Sequence, residues 1–352
     1  MDSLTQIVLG GCVAAAAVPA AHRRKALVAG AVLGTLPDLD GIPLALIGAD
    51  VVTAVTWHRG PSHSLPLLAL FGWLLWLLLR RAWAPVRESP HRWLAAIWLA
   101  LLTHPLLDAF TVYGTQLWWP LTSPPVMWSS VFIIDPGYTL PLLVGFIGAL
   151  VVGAKPGGSR FVTWGLILSS VYLGWTLWAK LLVDRAADQA LAARGLADAP
   201  RLSVPLPFNT LAWRVVVMTP DGFLEGERSL IADRQPMQFR AHVTEVAALR
   251  DLAAQPAVAR LMWFTHGFMK AEVRGDDLIA SDLRMGSEPD YSFRYRIAQR
   301  GADGTWKSVP VTAVTGPRNA GAQLERMWTR LWHEPAQPPA ALPASPSPSQ
   351  PN

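Results

Sequence analysis

The chain has 352 residues, 51% hydrophobic and 16% charged, with a formal charge of +5. That length leaves room for two domains, and the composition changes near residue 185, from Leu-, Ala-, Val- and Trp-rich sequence to sequence with frequent charges and turn dipeptides. The single cysteine, Cys12, excludes an intrachain disulfide and a cysteine metal site, and no Arg-rich stripe interleaved with aromatics points to a nucleic-acid partner.

Apolar stretches predict about six transmembrane helices, at roughly 4–20, 26–48, 64–79, 93–110, 138–154 and 161–183. The first is expected to be retained. A cleavable leader places its positive charges before the apolar run, whereas here Asp2 precedes it and His22-Arg23-Arg24-Lys25 follows. Basic residues collect in the connections 22–25, 80–92 and 155–160, while 49–62 and 111–137 share only Arg59. The positive-inside bias therefore puts the basic connections in the cytoplasm. The other connections then face the outside of a bacterial inner membrane, with Trp57, Trp118, Trp119 and Trp128 at the outer interface and Trp83 and Trp93 at the inner one.

Polar clusters interrupt the apolar sequence, all on the predicted outer side: Pro37-Asp38-Leu39-Asp40 after the second span, His58-Arg59-Gly60-Pro61-Ser62-His63-Ser64 before the third, and His104-Pro105-Leu106-Leu107-Asp108 at the end of the fourth. Ionisable groups are costly in a bilayer and persist where they face one another, a cavity or an ion. Imidazole and carboxylate are the usual ligands of zinc and similar cations. His104 and Asp108, four apart, share one side of a helix. In extended backbone Asp38 and Asp40 point the same way, so either or both can ligate. His58 and His63 are further candidates, with His63 better fixed at a helix start. Arg59, with its planar fork, suits a phosphate or carboxylate. Asp135 before Pro136 reads as an N-cap, a role compatible with ligation. Gln6 is a ligand or a hydrogen bonder to one. His242, His266 and His333 have no ligand spacing and read as ordinary surface or core residues.

From Lys25 to Asp38 is 13 residues and from Arg92 to His104 is 12, about 20 Å of helix against a hydrocarbon core of roughly 30 Å. The cluster is therefore expected below the outer headgroups, where a lipid or lipid-linked substrate is already present.

Beyond residue 200, Ala212–Thr219 and Phe223–Ile231 about Pro220-Asp221-Gly222 predict a hairpin, Phe268–Arg274 and Leu278–Met285 about Gly275-Asp276-Asp277 another, and Tyr291–Ala298 a further strand. Residues 242–264 read as partly helical. The expected organisation is an all-α membrane domain over 1–185, a small α+β domain over 200–335 on the outer side, and a Pro-, Ala- and Ser-rich disordered tail over 336–352.

The opening Met1-Asp2-Ser3-Leu4-Thr5-Gln6, the string Gly34-Thr35-Leu36-Pro37-Asp38-Leu39-Asp40, the 58–64 and 102–108 strings, Tyr113-Gly114-Thr115-Gln116 and Phe132-Ile133-Ile134-Asp135-Pro136 together resemble the bacterial membrane-bound metal-dependent hydrolases of the YbcI/YdjM type. The strings Asn209–Val216 and Asp282–Gly286 resemble the C-terminal part of the longer members, so the likeness runs from residue 1 to about 335. The family is distantly similar to zinc-dependent phospholipase C and P1-type nucleases. Their Asp…His…His-x-x-x-Asp order is matched by Asp38 or Asp40, His63, and His104 with Asp108. By that analogy Asp108 bridges zinc ions, and the missing further ligands imply one or two ions in place of three.

The implied activity is phosphoester hydrolysis on a phospholipid or lipid-linked phosphate, with Asp38 or Asp40 as proton acceptor, Arg59 offsetting charge on the phosphoryl oxygens, and 111–137 as an interfacial flap. A metal-independent phosphatase with a histidine nucleophile is one alternative, although 97–103 lacks the basic residues it needs. The other is a non-enzymatic ion-binding scaffold or transporter, although no inverted repeat is visible.

Overall fold

The computed structural model describes residues 1–316 and 320–334. The tail expected over 336–352 lies outside the described residues. The N-terminal half is helical: α1 (Ser3–Ala17), α2 (Arg23–Thr35), α3 (Gly41–Leu46), α4 (Val51–Trp57), α5 (Leu65–Ala82), α6 (Ala84–Glu88), α7 (Pro90–Ala109), α8 (Pro136–Val152) and α9 (Pro156–Ala192). Among the described residues, three helical stretches, Ala20–Leu46, Leu65–Ala82 and Pro156–Ala192, are long and apolar enough to cross a membrane. The shorter α1 and α8 are also apolar, at 15 and 17 residues. The 20-residue α7 is interrupted by His91, Arg92, His104 and Asp108.

Packing in this unit is close because small residues line the contacts. A Cβ on Gly30 would lie 2.2 Å from the Gly10 carbonyl oxygen, and one on Gly34 would lie 2.5 Å from that of Gln6. Helices α1 and α2 thus touch backbone to backbone, as small residues permit where lipid supplies no hydrophobic drive. Both pack on α7. This brings Gln6 and the Gly34 carbonyl beside His104, so the site is placed by the tightest contact in the bundle. Leu27, Ile97, Leu101 and Leu142 fill the core around Cys12.

The described residues of the second half carry two four-stranded antiparallel sheets and one two-stranded hairpin. The first pairs β1 (Arg201–Pro205), β2 (Ala212–Thr219), β3 (Gly222–Ser229) and β4 (Phe239–Val243) in sequence order. After α10 (Val246–Asp251) and α11 (Pro256–Phe264) come β5 (Met269–Arg274), β6 (Asp277–Asp282), the short hairpin β7 (Gly286–Ser287) and β8 (Asp290–Tyr291), then β9 (Arg294–Arg300) and β10 (Trp306–Ala313). The second sheet runs β10-β9-β6-β5. A last helix, α12, spans Ala320–Trp332.

The two halves are not separate bodies. The composition shift at residue 185 falls inside α9, which runs on so that Ala179, Val183, Ala187 and Leu191 pack under Trp213, Val215 and Val217 of β2. Alternate residues point to opposite faces of a strand. Val216 accordingly faces the other way, into a cluster with Leu283, Tyr291 and Val112 of the 111–135 connection. In addition, Val52 of α4 lies in the core of the second sheet with Leu249, Leu261 and Tyr295. The segment leading into His58 is therefore built into the C-terminal domain.

Candidate metal centre

Three local structures deliver the polar side chains. Pro37 ends α2 in a 3-10 turn, Leu36–Asp40, which turns Asp38 inward. A second 3-10 turn, Pro61–His63, places His63 just before α5, whose N-cap is Ser64. His104 and Asp108 lie one turn apart on α7, on either side of Pro105. Asp38, His63, His104 and Asp108 each offer one ligand atom, all within 4.8 Å of one another. Only the Asp38 side chain reaches the surface, at 24% exposure; the other three are buried.

The spacing has a chemical meaning. His63 Nε2 and His104 Nε2 are 3.1 Å apart. Asp38 Oδ1 lies 3.4 Å from each. Asp108 Oδ2 lies 3.2 Å from the first and 3.5 Å from the second. Four tetrahedral ligands bound at ~2.0 Å sit roughly 3.3 Å apart, so these separations are those of a zinc-sized coordination shell.

Hydrogen bonds decide which ring nitrogens carry protons. His104 Nδ1 is 2.5 Å from the Gly34 carbonyl oxygen, which only accepts, so Nδ1 is the donor. Ser62 Oγ donates to Asp40 Oδ2 at 2.6 Å and so accepts from His63 Nδ1 at 2.9 Å. With both Nδ1 edges engaged, the two Nε2 atoms are turned toward each other and toward two carboxylates. Asp108 Oδ2 is buried without a hydrogen-bond partner, its one cationic neighbour among the described side chains beyond the two rings being Arg59 Nε at 3.1 Å. One shared proton relieves one edge of such a cluster; a cation at its centre relieves all of them. The donor set thus fits a divalent ion of the zinc type.

Other expected residues surround this group without joining it. Asp40 faces away from the four ligand atoms, accepting from His58 Nδ1 at 2.7 Å, the Arg59 backbone N–H at 3.1 Å and Ser62. Asp40 and His58, both expected as ligands, form instead an outer layer that orients His63 through Ser62, the arrangement that fixes tautomer and direction in metal sites. The reason is geometric: a 3-10 turn does not keep the alternation of extended backbone, so Asp38 and Asp40 diverge. Gln6 donates to Asp108 Oδ1 at 3.0 Å, and the Met1 amino group meets the same oxygen. Asp135 caps α8 through the Gly137 and Tyr138 N–H groups and accepts from the Tyr172 hydroxyl, outside the cluster.

Arg59 is buried with Nε 3.1 Å from Asp108 Oδ2 and Nη1 donating to Thr111 Oγ1 at 3.0 Å. Its φ of +62° lies in the left-handed region that non-glycine residues rarely adopt. Its carbonyl accepts from Gln116 N, and its guanidinium stacks 5.0 Å over Tyr113. The 111–137 connection, read from sequence as a flap, is pinned by a Thr115–Val126 bridge and by Ser64 Oγ donating to the Trp119 carbonyl. Ser62, Thr111 and Tyr113 carry no individual sequence signal beyond lying inside or beside the motifs.

Residues 1–183 match the family model described as YdjM inner membrane protein. The chain is also 25% identical over 233 residues, 64% of its length and 68% of the other's, to the uncharacterized protein YfhP of Bacillus subtilis (strain 168). No solved structure matches the chain.

Proposed function

The chain belongs to the YdjM inner membrane protein family, and from that premise we propose that it is a membrane-embedded metal-dependent hydrolase. Its substrate on this reading is a phospholipid or lipid-linked phosphate in the outer leaflet, and its ion is a single zinc or similar cation. The carrying observation is the convergence of two imidazole Nε2 atoms and two carboxylates, at 3.1–3.5 Å, from three segments of the bundle. The proposal includes six crossings in the order the apolar helices stand and a C-terminal domain outside the cytoplasmic face; the basic connections and the shared position of the clusters support both. The phosphoester class rests on the similarity of the ligand order to zinc-dependent phospholipase C.

Asp38, His63, His104 and Asp108 would hold the ion. When bound, the ion supplies Lewis acidity toward a phosphoryl oxygen and lowers the proton affinity of water. Asp38, open to the surface, takes a proton from the attacking water at its free oxygen. Arg59 offsets charge growing on the phosphoryl oxygens. Gln6 holds Asp108 in place through Oδ1. A metal-free histidine nucleophile is less well supported, because the Gly34 carbonyl, not a carboxylate, orients His104.

The test is elemental analysis of the purified protein alongside phosphate or headgroup release from phospholipids and polyprenyl phosphates. Near one equivalent of zinc or manganese, lost together with turnover in His104→Ala, is the expected result. Metal-free protein that still turns over, or metal loss in His104→Ala with turnover intact, overturns it.

A further inference from the structure

A cavity of about 1600 Å³ lies between the membrane unit and the C-terminal domain. It is larger than the roughly 300–1,000 Å³ typical of small-molecule sites. Its walls are mostly apolar and come from both halves, with Phe132 and Ile134 on one side and Leu206, Phe208 and Met327 on the other.

The position of its rim indicates what reaches it. Ile134 is exposed and directly precedes the N-cap of α8, whose Leu140, Val144 and Ile147 are also exposed along one apolar face. The Phe208 ring lies 5.8 Å from the Phe132 ring. Thr210, two residues on, accepts a hydrogen bond from Trp175 and donates one to the Tyr172 hydroxyl, both on α9. The rim is thus continuous with the lipid-facing surface. Across it, α12 contributes Leu324 and Met327 to the wall while turning Trp328 and Trp332 to the exterior, the pattern of a helix lying in a membrane interface.

The inner end is polar. Glu225 Oε1 accepts from Arg214 at 2.6 Å, yet Glu225 Oε2 is buried without a hydrogen-bond partner, with His242 Nε2 3.9 Å away. Arg240, paired across the strands with Glu225, is exposed on the same wall. A ligand that satisfies both presents a hydrogen-bond donor beside anionic oxygens, with an apolar chain behind.

We propose that this chamber binds one phospholipid-class amphiphile drawn laterally from the bilayer, its chain along Phe132, Ile134, Leu206 and Phe208 and its head at Glu225 and Arg240. The inference deepens the lipid reading of the function above by giving the substrate class a binding chamber. It rests on that reading for the claim that the bound lipid is substrate; lipid binding as such stands without it.

The test uses the full chain in nanodiscs of phosphatidylethanolamine and phosphatidylglycerol containing a phosphatidylglycerol with a photoreactive diazirine in one acyl chain. Adducts are mapped by peptide mass spectrometry. The expected result is labelling of peptides containing 131–134 and 204–208, reduced about tenfold in Leu206→Trp, which fills the chamber. The exposed-site variant Ile134→Glu should reduce it as well, while labelling of α5 and the bound-metal content stay at wild-type levels. Absence of label at these peptides, or label that both variants leave unchanged, overturns the proposal. Label appearing only after removal of 336–352 assigns the chamber to the chain's own tail and also overturns it. Wild-type protein that hydrolyses lipid yet takes no label at these peptides refutes the chamber alone; wild-type protein that takes the label yet hydrolyses no lipid refutes the enzymatic reading alone.

Discussion

Ser62 separates a metal centre from a merely polar core. Its hydroxyl donates to Asp40 and accepts from His63 Nδ1, and that second bond keeps the His63 proton away from the pocket. In Ser62→Ala the Nδ1–H loses its acceptor, and a singly protonated ring gains by moving its proton to Nε2, which lies 3.1 Å from His104 Nε2. The cation-free pocket then has an N–H···N bond of its own, and an incoming ion must displace that proton. A net hydrogen bond contributes about 1 kcal/mol, and more when one partner is charged, as Asp40 is. Loss of the orienting layer of a metal site costs about 10–100-fold in affinity, equivalent to roughly 1.4–2.7 kcal/mol. Zinc affinity should therefore fall by that factor in Ser62→Ala and return in Ser62→Thr, which restores a hydroxyl. Competition against a chromophoric chelator, on full-length protein in detergent, measures it. Binding in Ser62→Ala within about threefold of wild type would refute the tautomer argument and, with it, the reason for placing a cation among these four groups.

Arg59→Gln leaves Asp108 buried without its guanidinium, so the cation-free protein should lose on the order of 3 kcal/mol. Added zinc should recover most of that loss in a thermal melt; an equal loss with and without zinc counts against the site. Gly30→Leu puts side-chain atoms where the Gly10 carbonyl stands. Its overpacking cost is on the order of 3 kcal/mol, and the Gly34 carbonyl moves off His104, so both melting temperature and zinc affinity should drop; wild-type values for both would contradict the backbone contact. In the C-terminal domain, burial holds His242 and His266 below the ordinary imidazole value of 6.5. The unfolded chain then binds more protons near that pH, so their contribution is complete above about 6.5 and is lost as pH falls through it. Hydrogen exchange at β4 and α11 should accelerate with acidification in the wild type and respond less in the doubly substituted His242→Gln, His266→Gln protein.

The ligand types and their clustering were legible because each polar group breaks an apolar run, and apolar runs do not carry carboxylates without a partner. The choice between Asp38 and Asp40 was not, since it depends on a 3-10 turn whose geometry only Pro37 hints at. His58 stood in the motif yet turns to Asp40, because Arg59 adopts a left-handed backbone that the sequence Arg-Gly does not announce. The hairpin at 212–229 followed from its turn residues and alternation, whereas β1, β4, β10 and α12 were missed: they are short or polar and gain their stability from tertiary neighbours. Least visible was α4. Val51, Val52 and Val55 look like one end of a membrane connection, and nothing local tells that Val52 lies in a core completed some two hundred residues later.

That distant closure has a consequence for biosynthesis. The ribosome releases the His58–Arg59 limb early, but the apolar seat for Val52 and the Arg260 side chain that bonds Thr56 arrive only with the final third of the polypeptide. Until then α4, which leads into the arginine, lacks its C-terminal support. A nascent or prematurely terminated chain therefore makes every contact of Arg59 itself and yet leaves α4 without the seat that holds Val52 and Thr56.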